Sequence, residues 1–379
     1  MSVVVKIGPD IFSWIEYTAS SLEGITITTG RQDARSPVNP TTCSVTLLYD
    51  SALGSFDPST FSVGDLLIVE KTVIVPIVRF TGRVTDLQFD KYVLTITAVT
   101  DGISRFGRFS ADFTLGSGYT GEILDNTYTN VLVNAYPGTP PTANFDPGIT
   151  YLDTPTLTNS SPAQFVQTVS ASEPNSFFYE LPDGSLEFRD QEHFRYQTPD
   201  LTFSDTEVLE GWQVTKRISD KINSSIANYV GGSETYTETS DVTIYGLIQQ
   251  SLDTYCSDPA DALNLATRTV KNYVLPGWTL PGISVAMSPL SSARQAFIAN
   301  NSGIAQLVEI PSLAPGLNTY YVVQGYSETF GRYSWDINFY LSDWTLFRPS
   351  QNWEDVISGI TWVAVPGSIT WDDMLRDWI

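Results

Sequence analysis

The chain has 379 residues, more than one hydrophobic core usually serves, so we expect two to four domains. Its 26 glycines, 22 prolines and 12% aromatic residues are typical of a protein built from strands and turns. The 42 acidic and 20 basic residues give a formal charge of −22, which argues against stable binding to a nucleic-acid backbone. An acidic surface would let DNA slide past without adhering, but it is equally an ordinary feature of a soluble protein.

The sequence shows no covalent crosslink, leader or membrane segment. Cys43 and Cys256 lie far apart, so neither a disulfide framework nor a cysteine-based metal site is expected, and both should be buried. The first residues lack a charged region followed by a long apolar one, and no run approaches the ~18 apolar residues of a membrane helix. We therefore expect neither secretion signal nor membrane span.

Residues 1–105 read as a first small β-barrel. An aromatic cluster at Phe12, Trp14 and Tyr17 predicts an edge strand or an arm laid on a neighbouring molecule. Strands follow at residues 24–30, 43–49 and 66–69, and residues 79–98 form a hairpin whose second arm alternates apolar and polar residues. Closure into a barrel would remove exposed strand edges.

Three segments of this first unit carry a resemblance to a known family. They are residues 25–33, the strand at 45–47 with the following Gly54, Phe56 and Pro58, and residues 80–84 around Gly82. Together they resemble the opening domain of long-tailed bacteriophage minor tail proteins, and among these the tail-hub (baseplate hub) proteins. The resemblance extends more weakly to residue 347 and rests on patterns, without a catalytic signature.

Residues 106–205 predict an inserted α+β domain. Residues 120–135 have apolar positions at helical spacing, and a second helix should begin with Ser161 as its N-cap and Pro162 at its first position. A hairpin over residues 177–189 should turn at Asp183 and Gly184. A helix followed by such a hairpin also resembles the inserted domain of tail hubs.

Residues 206–235 return to strand character, with strands at 212–216 and 222–230. The resemblance implies that this segment completes the first barrel before the chain crosses to the second. A helix should start at Asp258 and present Leu263, Ala266 and Val270 on one face. We expect that helix to pack on a second β-barrel, within residues 236–347.

The second β unit looks like a repeat of the first. Laying Gly82 on Gly325 aligns Leu94 with Ile337 and Ile96 with Phe339 without a gap. An acidic and apolar segment precedes both hairpins, at residues 63–70 and 303–309. Any two amphipathic hairpins can align in this way, so chance similarity remains the alternative. The fold class we predict is mainly β with an α+β insertion and two similar tube-type barrels, the tail-hub architecture.

Residues 348–379 form a tail with three regularly spaced tryptophans. Trp353, Trp362 and Trp371 are each nine residues apart, in a segment too short for its own core. They are our candidate partner-binding residues, because tryptophans of such a segment bury against another surface. Folding back onto the second β unit of the same chain is the equal alternative.

The sequence offers few residues in the patterns typical of catalytic, nucleotide-binding or metal-binding sites. His193 is the single histidine and lacks the spacing of a metalloprotease site, so we expect a hydrogen-bonded or solvated side chain. There is no phosphate-binding glycine loop and no EF-hand pattern. Acidic pairs such as Asp205 with Glu207, Glu354 with Asp355 and Asp372 with Asp373 carry little information among 42 acids. We predict no catalytic residue, no cofactor and no metal site.

The resemblance implies a structural virion protein of the phage tail tip, made in the host cytoplasm. Three subunits with two similar barrels each would present six, and so match a tube of six-fold rings. Implied partners are other copies of the chain, a distal tail or tail tube protein, the tape-measure C-terminus, and other tail-tip or host-binding proteins, with DNA passing transiently. The alternatives are a carbohydrate-binding or cell-wall-degrading tip protein and a hexameric distal tail ring protein.

Overall fold

The structure is a computed structural model. It describes residues 2–10, 12–18, 22–32, 36, 39–48, 60–90, 92–136, 140–153, 155–194, 198–274, 278–311 and 319–347. The three tail tryptophans, Trp353, Trp362 and Trp371, lie outside these residues. None of the helices within them has both the length and the apolar character needed to cross a bilayer.

The N-terminal part is built from strands. They are β1 (Ser2–Asp10), β2 (Ser13–Thr18), β3 (Leu22–Gly30), β4 (Asn39–Leu48), β5 (Leu66–Thr72), β6 (Pro76–Asp90) and β7 (Val93–Val99). Strand β7 alternates between buried and half-buried residues, as its sequence pattern predicts. Strand β2 pairs only with β1 among the described strands, so it lies at an edge of the sheet. It carries Trp14 and Tyr17 of the aromatic cluster, for which an edge strand was one of the two predictions.

Short helices and small sheets follow. They are α1 (Asp101–Phe106), β8 (Ala111–Thr114), β9 (Gly118–Tyr119), α2 (Thr120–Thr127) with a π-helical turn (Tyr128–Leu132) and a 3-10 turn (Val133–Ala135), β10 (Ala143–Phe145), β11 (Tyr151–Leu152), β12 (Thr156–Ser160), α3 (Pro162–Ala171), β13 (Phe177–Glu180), β14 (Leu186–Arg189), a 3-10 turn (Gln191–Phe194) and β15 (Leu201–Thr202). The predicted helix start is confirmed, because Ser161 Oγ accepts the Ala163 N–H at 3.2 Å. The predicted hairpin is also present, with Gly184 at φ +91° in its turn.

The C-terminal part combines a small sheet, helices and the second hairpin. Its elements are a 3-10 turn (Ile218–Asp220), β16 (Ser224–Tyr229), β17 (Gly232–Thr237), α4 (Thr239–Tyr245), β18 (Gln249–Asp253), α5 (Pro259–Tyr273), β19 (Gly282–Ala286), α6 (Ser292–Asn301), β20 (Leu307–Glu309), β21 (Tyr320–Gly331), β22 (Trp335–Asp343) and a 3-10 turn (Trp344–Leu346).

The two β units have the same strand order. Neighbouring strands in the first unit follow the order β4-β7-β6-β5, and in the second β19-β22-β21-β20, with every pair antiparallel. In both, one strand is followed by a long connection and then by a three-stranded meander, a Greek-key arrangement. The similarity between the two hairpins is therefore one of topology, although their registers differ: Leu87 faces Ile96 in the first, while Phe330 faces Trp335 in the second.

Strand β3 joins the two units. It pairs with β4 on one side and with β21 on the other, so that the large sheet runs without interruption from one unit into the other. Buried side chains of both units, among them Ile27, Ile96, Tyr326 and Phe339, belong to one hydrophobic core. The described strands thus form one twelve-stranded sheet, and no pairing among them closes a barrel.

The segment expected to complete the first barrel makes its hydrogen bonds elsewhere. Residues 206–215 contact the second unit through isolated bridges, Val208 with Val285 and Thr215 with Thr279, so the strand predicted at 212–216 is not formed. Strands β16 and β17 instead make a separate sheet with β18. Val208, Trp212 and Val214 do pack on the large core. The backbone of this segment, however, donates from Leu209 and Thr215 to Ser284 and Thr279, which directs it to the second unit. The division of the chain into four domains otherwise stays a prediction.

Helix α5 begins where predicted but packs differently. The Asp258 carboxylate caps it by accepting the Ala260 N–H at 2.7 Å. Its buried residues are Ala262, Leu265, Ala266 and Val270, whereas Leu263 is 40% exposed, so the predicted face is rotated. The helix lies on β16 and β17 and not on the second β unit. The small Ala262 and Ala266 side chains let it approach that sheet closely, next to the buried Cys256.

Candidate functional site: the junction of the two β units and the exposed edges

A buried charge cluster lies where the two β units meet. Arg79 of β6 and Glu328 of β21 are 2% and 0% exposed, and their Nε and Oε2 atoms are 2.9 Å apart. Arg79 also donates to the Ala299 carbonyl at 2.5 Å and to Ser302 Oγ at 3.0 Å, at the end of α6. Trp335 Nε1 donates to Glu328 Oε1 at 2.7 Å. We call these residues, together with the nearby Lys71, the junction cluster.

In the junction cluster, Arg79 of β6 binds groups of both β21 and α6. Burial works against the charge on Arg79, but attraction to the Glu328 carboxylate outweighs it and raises the pKa of Arg79. A buried ion pair is stable only when its remaining hydrogen-bonding groups are satisfied, and here α6 and Trp335 supply the partners. The cluster therefore fixes how β6, β21 and α6 lie relative to one another.

The crossing of β3 and β21 depends on two glycines that face each other. Gly30 has φ +83°, and Gly325 is its partner across the strands. A Cβ on Gly325 would lie 2.3 Å from the Thr29 carbonyl oxygen, and one on Gly30 would lie 2.5 Å from that of Gln324. In the sequence, Gly325 aligns with Gly82 of the first hairpin. The structure shows that the close approach to β3 is what requires glycine at position 325.

Exposed apolar side chains lie at an edge and at a turn of the large sheet. On and beside the edge strand β2, Phe12, Trp14 and Ile15 are 88%, 40% and 45% exposed. In the turn between β5 and β6, Ile74 and Val75 are 63% and 58% exposed. An exposed edge with apolar side chains is a surface on which another chain can add. These are the described surfaces best suited to contact a neighbouring protein.

Of the acidic pairs considered for catalysis, only Asp205 and Glu207 lie within the described residues. Glu207 forms an ion pair with Arg294 (Oε1 to Nε, 2.6 Å), and Asp205 is exposed beside it. Hydrogen bonds from Arg294 hold the pKa of Glu207 below its ordinary value against the effect of burial. The other two acidic pairs, Glu354 with Asp355 and Asp372 with Asp373, lie outside the described residues.

His193 lies beside an ion pair. Its Nδ1 is 3.8 Å from Asp146 Oδ2, and Asp146 already binds Arg189 at 2.9 Å. Burial and the neighbouring Arg189 lower the pKa of His193, so the ring is neutral at pH 7. Within the described part of the chain, no group of three His, Cys, Asp or Glu side chains is placed to hold a metal ion. Cys43 and Cys256 are both buried, as expected.

The buried ion pair between the units was not anticipated from the sequence. Glu328 has the same strand parity as Tyr326 and Phe330, so alternation alone places its carboxylate on the inward face. A buried carboxylate needs an ion-pair or hydrogen-bond partner, so the sequence alone indicates that Glu328 has one. Nothing in the sequence identifies Arg79 as that partner, because the two residues are 249 positions apart.

No known protein family and no curated protein matches the sequence. Solved structures do match the fold. A 43 kDa tail protein of prophage MuSo2 from Shewanella oneidensis aligns with TM-score 0.62 and 11% identity over 92% of this chain and 99% of its own. A tail protein from Neisseria meningitidis MC58 aligns with TM-score 0.61 and 13% identity over 90% and 96%.

A type VI secretion component of Escherichia coli, itself described as similar to the T4 phage tail proteins gp27 and gp5, aligns with TM-score 0.50 and 9% identity over 85% of this chain and 73% of its own. Identities this low establish the fold alone. The alignments nevertheless run through almost the whole of both tail proteins. The chain therefore has the fold of phage tail proteins, the class that its sequence resembles.

Proposed function

We propose that this chain is a tail hub: a structural protein at the phage tail tip that assembles as a trimeric ring and continues the tube channel. The observation that carries the proposal is the repeated strand order, β4-β7-β6-β5 and β19-β22-β21-β20, within a tail-protein fold. Two equivalent units per subunit let three subunits offer six similar contacts to a six-fold tube. A protein with one such unit would need six copies.

In the proposed ring, each unit contributes strands around the channel, and the junction cluster sets the angle between the units. The formal charge of −22 suits a channel through which DNA passes without adhering. Neighbours in this proposal are a distal tail or tube ring, the tape-measure C-terminus and other tip proteins. Trp353, Trp362 and Trp371 are the candidate contacts to one of them, and the role is structural and not enzymatic.

The mass of the assembled oligomer tests this proposal. We expect light scattering and native mass spectrometry of the purified chain to give three copies, at several protein concentrations. Six copies would favour the distal ring, and a stable monomer at high concentration would contradict both. Electron microscopy of tails assembled with a labelled chain then tests the position, which should be the end of the tube.

A further inference from the structure

A second feature of the junction points to a binding site that the tail-hub role does not require. A pocket of about 290 Å³ opens beside the turn of the β21–β22 hairpin. Its apolar wall is formed by Val3, Leu22, Ile25, Phe330 and Trp335, which come from four strands of both β units. Its polar lining includes Lys71, Ser288 and the turn residue Arg332.

Lys71 places a buried amine in this pocket. The residue is 5% exposed, and its Nζ lies 5.0 Å from the ring centroid of Trp335 and 5.7 Å from that of Phe330. No carboxylate of the described residues lies within ion-pair distance of it. The nearby carboxylate, Glu328, already binds Arg79 and Trp335.

The charges of the junction cluster do not balance. Arg79 and Lys71 are both buried, the Glu328 carboxylate is bound to Arg79, and the exposed Arg332 adds a positive charge to the pocket lining. An uncompensated buried charge is costly, and cation–π contacts offset only part of that cost. In a chain of net charge −22, this pocket is locally positive and open to a ligand.

We propose that the pocket binds a carboxylate group against Lys71, with the apolar or aromatic body that carries it packed on Phe330 and Trp335. A charge-assisted bond to Lys71 Nζ would complete the missing half of a second ion pair. Two sources share this chemistry: a small carboxylic acid, or an acidic side chain of a neighbouring protein in the assembled tail.

The pKa of Lys71 would respond to a bound carboxylate. Burial lowers the pKa of Lys71, and attraction to Glu328 raises it only in part. Glu328 of β21 is the charged group whose attraction acts on the amine, and Arg332 of the turn lines the same pocket. A bound carboxylate would add a close negative charge and so raise the pKa of Lys71.

Benzoate tests the proposal, and benzamide, which has the same shape without the charge, is its control. The full-length protein labelled at lysine side chains should show a saturable shift of the Lys71 signal with benzoate and none with benzamide. Lys71→Met should weaken benzoate binding on the order of tenfold or more, as expected for loss of one charged hydrogen bond. Lys71→Arg should retain binding, and Lys216→Met, on the exposed surface, should leave it unchanged.

Thermal melts of each variant show whether it is folded, and Lys71→Arg keeps the test decisive if Lys71→Met is not. Equal effects of benzoate and benzamide, or equal benzoate affinity in wild type and Lys71→Met, would overturn the proposal. So would a Lys71 amine that is already uncharged at pH 7.

A second experiment distinguishes the two sources. Carbodiimide treatment of the assembled oligomer, followed by peptide mass spectrometry, should join Lys71 Nζ by an amide bond to an Asp or Glu if a neighbouring protein fills the pocket. Benzoate binding without that crosslink assigns the site to a small carboxylic acid. Absence of both results contradicts the proposal.

Discussion

At the scale of residues, two buried carboxylates decide how parts of the chain are held together. Glu328 binds Arg79 across the two β units, and Glu180 accepts the N–H groups of Gly102 and Ile103 at 2.8 Å and 3.3 Å, at the start of α1. Glu328 has a cation beside it, whereas Glu180 is held by hydrogen bonds from the Thr100 side chain and from the two backbone N–H groups. We therefore test Glu328 by mutation of the ion pair and Glu180 by changing the pH.

Replacing Glu328 with Ala should destabilise the protein by about 3–5 kcal/mol, because it leaves Arg79 charged and unpaired in the core. The double variant Arg79→Met with Glu328→Leu should recover part of that loss. Denaturant unfolding measures both values. Glu16→Gln is the control, since Glu16 is 54% exposed and 4.0 Å from Lys6, and should change stability by less than about 1 kcal/mol. A small effect of Glu328→Ala would show that the ion pair does not hold the junction.

Glu180 should make stability fall as pH rises through the weakly acidic range. Burial raises the pKa of Glu180 from 4.5 to about 7, although hydrogen bonds from the Thr100 side chain and from the Gly102 and Ile103 backbone oppose this. The unfolded chain therefore loses its proton first, and the free energy of unfolding should decrease between about pH 4.5 and 7 and then level off. Other buried carboxyls shift in the same direction, Glu173 among them.

The contribution of Glu180 is isolated by comparison with Glu180→Gln, whose side chain does not titrate. The difference in unfolding free energy between wild type and this variant, measured from pH 4 to 8, should change across that window and be constant above it. A difference that is independent of pH would mean that Glu180 titrates normally in the folded protein.

At the scale of elements, strand β3 joins the two units of the sheet, and its contact with β21 at Gly30 and Gly325 is too close to admit a Cβ atom. Gly325→Ala should cost about 1–3 kcal/mol, since its Cβ would meet the Thr29 carbonyl oxygen at 2.3 Å. Gly24→Ala is the matched control in the same strand pair, because its Cβ would lie 3.7 Å from the nearest atom, the Phe330 carbonyl oxygen. Thermal unfolding compares the two. Equal losses would contradict the close-approach explanation.

Short sequence motifs predict where helices and turns begin and end, but they do not predict which distant strands and side chains contact one another. The helix caps at Ser161 and Asp258 and the turn at Gly184 depend on contacts within a few residues, and the structure confirms all three predictions. The face of α5 was misread because Leu263 fits the helical period as well as Ala262 does, and only the neighbouring sheet selects between them. The pairing of β3 with β21 and the ion pair of Arg79 join residues hundreds of positions apart, which no local pattern encodes.

At the scale of the whole molecule, a weak resemblance to phage tail proteins predicts the fold, whereas the linkage of the two units is seen only in the structure. The role of the C-terminal tryptophans stays a prediction. Phe347 is buried against Phe177 and Phe194, so a truncation that tests the tail must end after Phe347.

A chain ending at Phe347 should keep its stability and its oligomer mass but lose attachment to one tail neighbour, if Trp353, Trp362 and Trp371 bind that neighbour. Co-purification with the other tail proteins measures the loss, and a variant with all three tryptophans changed to Ala is the control for chain length. Unchanged assembly into tails would contradict the intermolecular role.

The placement of β3 between β4 and β21 also governs how the protein is made. Residues 22–30 leave the ribosome early, yet one of their two neighbouring strands, residues 320–331, is synthesised almost 300 positions later. Contacts between such distant segments carry a large loop-closure cost and slow the final folding step. Strand β3 therefore cannot pair with β21 until residue 331 has been synthesised. We expect that neither an N-terminal nor a C-terminal half of this chain folds to its native structure when expressed alone.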